Sequence, residues 1–515
     1  MRPFFRPLRP RPGPPPRAGA GLPGRVAALA LACAAALPAA ARPPEGLASA
    51  PAPAPAAVQH AVLPAAVDAA LVRARVPREA LSALVADAGG RAAPRLAWRT
   101  EAPVNPASVM KVVTTYAGLD LLGPAYTWST PVYADGPIAP DGTLRGNLYL
   151  RGQGDPKLVV ERLWLLLQKL QGLGVRRIAG DIVLDRSAFS LPPHDPAAFD
   201  GESWRPYNAA PDALLVNFRA VTMTFVPDPA AGVARVAYEP ALAGLQLQAS
   251  VPLSAEAACD DWRAPLLTRL ADPARIAFDG RYPAVCGERS WTVAYADPAT
   301  HAARAVESVW LGLGGRLAGR VRNGMVPAGL APLFAFSSPP LAEVVRDINK
   351  FSNNVMAQQL FLTLSREAHG VGSFEGSREV LSQWWTMRFG PADLPQLYNG
   401  AGLSRTGRIT VRGMGRMLQA AWASPLMADL AASLPIYGID GTLRRATGAP
   451  AGSAHLKTGS LRDVGAMAGY VDGASGQRWV LVATINHPNA AAARPALDAL
   501  VDWAARDLSA PRVPQ

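Results

Sequence analysis

Three short stretches of this 515-residue chain hold side chains whose types and spacing would support acyl transfer. The first is Ser108-Val-Met-Lys111, set among the apolar residues Val112, Val113 and Tyr116. On a helix, residues three apart share a face, which brings the lysine amine within reach of the serine hydroxyl. Burial penalises the ammonium form, so Lys111 is a general base able to take the Ser108 proton and leave a nucleophile. The second stretch, Lys350-Phe-Ser352-Asn353-Asn354, sets a hydroxyl and an amide at the start of an apolar helix, suited to carrying a proton to a leaving amine and holding a substrate amide. The third, Lys457-Thr458-Gly459-Ser460, offers a cation and a hydroxyl to a carboxylate, and Gly459 lets a substrate backbone approach and pair with the strand. Each has a plain alternative when read singly: a helix surface for Ser108 and Lys111, a helix cap for Ser352 and Asn354, a strand edge for Lys457.

Lysine usage separates these readings. The chain has 46 Arg and only five Lys, at 111, 157, 169, 350 and 457. A guanidinium cannot give up its proton in a protein, so a site that needs a neutralisable amine must keep lysine, and Lys111 and Lys457 stand out.

Together and in this chain order, the three motifs resemble the signature of the penicillin-recognising serine enzymes, Ser-x-x-Lys, Ser-x-Asn and Lys-Thr-Gly. The 244 positions between Ser108 and Ser352 are far more than compact members need. A long insertion there is similar to the D-alanyl-D-alanine carboxypeptidase/endopeptidase family, the class C low-molecular-mass penicillin-binding proteins. Further segments match that family: Gly146 to Asp155-Pro156 resembles its Gly-Asp-Pro stretch, Asn399-Gly-Ala-Gly-Leu-Ser404-Arg its Asp-Gly-Ser-Gly-Leu-Ser-Arg, and Gly438-Ile-Asp-Gly-Thr-Leu-Arg444 its Asp-Gly-Thr segment. The chain departs from the family at Asn399, Ala401 and Asn353, where Asp, Ser and Asp are common. The resemblance implies a serine peptidase that cleaves D-alanyl bonds of peptidoglycan stem peptides through an acyl-enzyme and is acylated by β-lactams. Ser108, Lys111 and Ser352 would be catalytic, with Ser352 and Lys111 protonating the departing D-alanine. Asn354, Lys457, Thr458, Gly459 and Ser460 would bind substrate, and the backbone N–H groups of Ser108 and Ser460 would hold the oxyanion. No cofactor and no metal are implied. A β-lactamase using the same three segments, or a cell-wall-binding scaffold that has lost catalysis, stand as alternatives.

These groups need a scaffold. Residues 105–123 read as a buried helix, with Asn105 as cap, Pro106 in the first turn and Gly123 at the end. Asn147–Gly152, Ile178–Leu184, Val221–Val226, Gly469–Val471 and Trp479–Ile485 read as strands, and Val67–Ala86 carries Ala, Leu and Val at helical spacing. The expected fold is α/β: a serine β-lactamase/transpeptidase-like catalytic domain, an antiparallel sheet flanked by helices, with mainly β domains between the first two motifs. The catalytic domain is expected at 67–140 plus 331–510, an inserted domain at 141–210 plus 311–330, and a second insert at 211–310 nested in the first. Few long helical patterns are expected between 140 and 330. Leu497, Leu500, Val501, Ala504 and Leu508 form a stripe expected to pack on the catalytic sheet, since Asp498, Asp502 and Asp507 disfavour a basic membrane anchor.

Residues 1–41 join an Arg-rich start to the apolar run Val26–Leu37 and Ala39-Ala40-Ala41, the pattern of a secretory signal peptide, and 42–66 form a Pro/Ala linker. An uncleaved anchor or a lipoprotein at Cys33 are the alternatives. Export to the periplasm or cell envelope would let Cys259 and Cys286 bond, with peripheral membrane or cell-wall association open. The net charge of +12 includes six arginines in residues 1–41, and the remainder shows no aromatic-interleaved basic stretch, so nucleic acid is no expected partner.

Overall fold

The computed structural model describes residues 62–255, 258–448 and 450–507. The signal peptide, Cys33, nearly all of the Pro/Ala linker and Leu508 lie outside the described residues.

Strand Arg478–Asn486 is apolar at nearly every position because both of its faces are covered. Leu481, Ala483 and Ile485 join one core with Leu71, Leu497 and Leu500, while Val480 and Val482 face another with Val112, Tyr116 and Leu360. It is the middle of a five-stranded antiparallel sheet ordered Leu96–Trp98, Leu81–Asp87, Arg478–Asn486, Val464–Asp472, Ala454–Leu461. Helices Ala65–Arg73 and Arg494–Ala505 cover one face, and Lys111–Leu122, Asn354–His369 and Val411–Trp422 cover the other. This is the helix-flanked antiparallel sheet expected from the sequence, and the stripe Leu497, Leu500, Val501 and Ala504 packs on it.

Val67–Ala86 is not one helix. The helix ends at Arg73, Pro77 interrupts the run, and Leu81–Asp87 is a strand buried at every residue. A short apolar run buried on both faces carries no period of two, so spacing could not separate strand from helix there. Ile178–Leu184 is likewise two strands, Arg177–Ile178 and Ile182–Asp185, broken at Ala179-Gly180.

Between residues 129 and 337 the chain leaves the catalytic sheet. Ser129–Ala134 and Pro332–Ser337 run antiparallel to each other, carrying the chain out and back. They belong to a second sheet, ordered Val321–Asn323, Ile182–Asp185, Leu148–Arg151, Ser129–Ala134, Pro332–Ser337. The strands that the sequence reading assigned to the catalytic part on either side of 140 and 331 thus pair within this second sheet. The few long helices here, Val160–Gly172 and Pro298–Gly312, cover that sheet with Leu163, Leu166, Leu167, Leu170, Val306 and Trp310. The 3–4 spacing of those four leucines is the overlooked signal.

A third sheet, ordered Tyr282–Pro283, Ser250–Ser254, Val233–Glu239, Ala220–Asp228, Arg289–Ala294, is nested inside the second. Phe225 stacks on Tyr282 and meets Trp262 and Phe278 edge-on at its centre. Cys259 and Cys286 are bonded. The inserted material is pinned to the catalytic helix Asn354–His369 by Gln359, whose amide accepts from Asp212 N at 2.9 Å and donates to Asp212 O at 2.8 Å.

The disulfide closes a loop spanning 27 positions, worth about 3.5 kcal/mol on the chain-entropy model. Replacing both cysteines by serine is expected to lower the stability of the nested unit by about that amount in urea unfolding, an effect that vanishes when the wild type is measured reduced.

Candidate active site

Ser108 lies on a one-turn 3-10 segment, Ala107–Met110, that leads into helix Lys111–Leu122. Asn105 does not cap the helix, which begins at Lys111, but braces the turn before it: its Oδ1 accepts from Ala107 N at 2.9 Å and its Nδ2 donates to Ser404 O at 2.9 Å. Asn486, at the end of the central strand, holds the backbone of Asn105 through two further bonds. The turn is thereby tied to the sheet and to the 404 loop. Ala107 has φ of 47° and Ser352 has φ of 55°, left-handed conformations uncommon for non-glycine residues and typical of backbone held by its surroundings at a site.

Lys111 is fully buried, with Nζ 3.0 Å from Ser108 Oγ. It donates to Asn354 Oδ1 and to Ala401 O, each at 2.6 Å. Loss of hydration pushes its pKa well below that of a free lysine, and the positive charge of Lys457 pushes it further the same way. Lys457 is also fully buried, and its Nζ donates to Ser352 Oγ and Thr458 O, both at 2.8 Å. Burial lowers its pKa to about 7. Of the other lysines, Lys350 pairs with Asp440, Lys157 pairs with Asp347, and Lys169 sits over the Phe334 ring. Among the described residues, the two amines singled out by lysine scarcity are the two buried without an acidic partner.

All three motifs converge on one cleft. Ser108, Ser352, Asn354 and Ser460 line a cavity of about 620 Å³ that the 199–207 segment of the insert borders with Phe199, Glu202, Arg205 and Tyr207. Lys457, Thr458 and Gly459 lie in strand Ala454–Leu461, the edge of the catalytic sheet. Residues 435–437 bond the strand near Ala454 and Leu456. Beyond Leu456 its outer edge makes no backbone hydrogen bond to another segment among the described residues, which leaves those groups free to pair with an extended peptide.

Three details differ from the sequence reading. Ser352 is bonded to Lys457, so the amine beside the proposed proton carrier is Lys457 and not Lys111. Asn354 has both ends of its amide engaged, Oδ1 with Lys111 and Nδ2 with Tyr207 O at 3.0 Å, so its Nδ2 must leave that carbonyl to bind a substrate amide. A Cβ on Gly459 would stand 2.5 Å from Pro106 O and 3.2 Å from Ser108 N, which makes the glycine necessary for seating the strand against the Ser108 turn. The family departures are also accounted for. Residue 401 contributes its carbonyl, a group that serine would also supply; Asn399 braces that turn through Ala401 N; and Asn353 caps the following helix through Met356 N at 3.0 Å, as an aspartate would. Residues to which the sequence reading gave no role are Ala401, Tyr207, Phe351, Arg405, Arg462 and Thr442, whose Oγ1 is 2.8 Å from Thr458 Oγ1. The resemblances at 399–405 and 438–444 carried a signal for Ala401, Arg405 and Thr442, and nothing marked Tyr207, Phe351 or Arg462.

A helix-flanked antiparallel sheet with a serine, a buried amine and an open cationic edge strand defines a penicillin-recognising active-site serine enzyme. The comparisons narrow the class. The family model D-Ala-D-Ala carboxypeptidase 3 (S13) matches residues 63–507, and the chain belongs to that family, a family of serine hydrolases. It is 29% identical over 400 residues to the D-alanyl-D-alanine carboxypeptidase of Actinomadura sp. (strain R39), covering 72% of this chain and 71% of that one. It is 28% identical over 395 residues to the D-alanyl-D-alanine carboxypeptidase DacB of Haemophilus influenzae, covering 74% and 80%. The crystal structure of penicillin binding protein 4 (dacB) from Haemophilus influenzae superposes with a TM-score of 0.66 at 23% identity, over 84% of this chain and 99% of that one.

Replacing Gly459 by alanine is expected to drive the edge strand off the Ser108 turn, because the atom it meets is backbone and cannot swing aside. Displacement of about 1 Å should slow acylation of Ser108 by a fluorescent penicillin roughly 10²-fold, with the far-ultraviolet circular dichroism unchanged.

Proposed function

We propose that Ser108 is the nucleophile of an exported, periplasmic D-alanyl-D-alanine carboxypeptidase that also cleaves the D-alanyl cross-links of peptidoglycan, and that β-lactams acylate the same hydroxyl. The observation that carries this reading is the Lys111 amine. A neutral amine has two N–H donors and one lone pair. With the donors spent on Asn354 Oδ1 and Ala401 O, the lone pair faces the Ser108 hydroxyl 3.0 Å away.

In the reaction, Ser108 Oγ attacks the carbonyl between two D-alanines as its proton passes to Lys111. The oxyanion is held by the backbone N–H groups of Ser108 and Ser460, on the turn and strand that Gly459 allows to meet. Lys457 and Thr458 attract the terminal carboxylate. As the C–N bond breaks, the leaving amine takes a proton through Ser352, which Lys457 resupplies across its 2.8 Å hydrogen bond. Water then attacks the ester, passing one proton back through Ser352 to the now neutral Lys457; Lys111 returns its proton to Ser108 Oγ as the ester C–O bond breaks, and the remaining water proton leaves with the product acid. A pKa of about 7 suits Lys457 to this work, because the arriving carboxylate favours its charged form.

The catalytic unit on this reading comprises residues 62–128 and 338–507, with the insert supplying one rim of the cleft. Export rests on the leader-like residues 1–41. No helix among the described residues is long and apolar enough to cross a membrane. Stem peptides and β-lactams are the expected partners, with no cofactor.

Ser108→Ala is expected to abolish covalent labelling by fluorescent penicillin, and label retained on that variant would refute the nucleophile. Lys111→Arg should lower labelling by at least about 10³-fold, because a guanidinium keeps its proton. The pH dependence has a definite sign. Lys111 must be neutral, so kcat/KM for D-alanine release rises with pH through its depressed pKa; Lys457 must be charged, so kcat/KM falls again as pH passes about 7. A rate that climbs steadily to pH 9 would contradict the role given to Lys457.

A further inference from the structure

The turn carrying Thr442 leads out of the cleft on the side where Thr458 stands. Thr442 lies in the short 3-10 segment Gly441–Leu443, and Arg444 and Arg445 follow at once, both exposed. With consecutive Cα atoms 3.8 Å apart, the Arg444 Cα is within about 8 Å of that of Thr442. The two arginines form one wall of a concavity of about 450 Å³.

The opposite wall belongs to the nested insert and holds Arg263, Arg289 and Trp262 beside the bonded Cys259. Arg263 is held over two indoles, 5.2 Å from the Trp262 ring centre and 5.6 Å from that of Trp291. Stacking of this kind fixes the guanidinium plane while leaving its N–H groups directed outward. Among the described residues four arginines face two acids, Asp260 and Glu288, a surplus of two positive charges in the lining. None of the four is salt-bridged to an acid among the described residues. A preorganised set of forked donors with uncompensated charge is suited to carboxylates.

On the peptidase reading above, the terminal carboxylate of a simple D-alanyl-D-alanine substrate stops at Lys457 and Thr458, and its one-residue leaving group has nothing to place beyond Thr442. A cross-link is different. There the leaving amine belongs to a second stem peptide, which continues past the scissile bond and bears further carboxylates. We infer that the cavity between Arg444–Arg445 and Arg263–Arg289 is the subsite for the leaving stem peptide of a cross-linked substrate, pairing with its carboxylates. The insert thereby takes part in choosing substrate: it adds affinity for the cross-link and none for the pentapeptide.

The test compares two substrates on the purified enzyme: a stem pentapeptide ending in D-Ala-D-Ala, and a dimer of stem peptides joined through a D-alanyl cross-link. In the double variant Arg444→Gln/Arg445→Gln, kcat/KM for the dimer is expected to fall tenfold or more, through KM, while release of D-alanine from the pentapeptide stays within twofold. Arg263→Gln/Arg289→Gln, on the other wall, is expected to show the same selective loss, and penicillin acylation of Ser108 at the wild-type rate shows that both variants are folded. In the wild type alone, KM for the dimer should rise with ionic strength. Equal loss on both substrates, or none on the dimer, overturns the inference. A wild type that releases D-alanine and leaves the dimer uncut also overturns it, with the carboxypeptidase reading intact; a wild type inert toward both removes that reading as well.

Discussion

Two fully buried lysine amines are the constraint on which the site depends. Burying an ammonium without an acid partner is costly enough that the group shifts its equilibrium toward the neutral form. Lys111 is held in that state by hydrogen bonds only to neutral acceptors, an amide oxygen and a backbone carbonyl. Lys457 has the same kind of surroundings, a hydroxyl and a carbonyl. A nearby carboxylate on the protein would have restored both to ordinary ammonium ions. Much of the catalytic unit follows from keeping acids out and water out: the apolar helix behind Lys111, the 400–402 turn that presses its carbonyl onto the amine, and the strand that closes the other side.

That closeness has to be supported. The left-handed conformations at Ala107 and Ser352 are held by particular bonds, Asn105 Oδ1 to Ala107 N in one case and Asn353 N to Ile348 O at 3.1 Å in the other. Gly402 lets its turn meet Ala107, since a Cβ there would lie 2.0 Å from the Ala107 carbonyl oxygen. The insert is part of the same support. Asp212 is clamped to Gln359 on the Ser-x-Asn helix, and the Tyr207 carbonyl receives the amide of Asn354. Inserted chain therefore reaches the residue that holds the Lys111 amine, which links the insert to the site mechanically as well as through the cleft it borders.

The parts legible in the sequence were those with a local signature. Ser108 and Lys111 are three residues apart on one turn, so their meeting needs no knowledge of the fold. The scarcity of lysine pointed to Lys457 before its partner was visible. The strand pair Val464–Asp472 and Arg478–Asn486 and the stripe on the last helix could also be read from apolar pattern. Where the chain is buried on both faces, as at Leu81–Asp87, the pattern that separates strand from helix is erased, and the reading failed there for that reason. The edges of the insert carry no such pattern: Ser129–Ala134 and Pro332–Ser337 look like any short apolar strands, and which sheet they join depends on partners two hundred residues away.

By itself, then, the sequence determined the chemistry on offer: a nucleophile with an amine beside it, a hydroxyl–amide pair, and a cationic strand. Side-chain type and near-neighbour spacing are properties of the chain. What only the tertiary structure decided was which groups touch across long separations: Lys457 on Ser352, the Ala401 carbonyl on Lys111, Gly459 against the Ser108 turn, and the insert's arginines opposite Arg444. Those contacts involve backbone atoms, which carry no residue-specific mark, or partners brought together by packing of separate layers. Burial, which favours the neutral form of Lys111, comes into being only once the layers close.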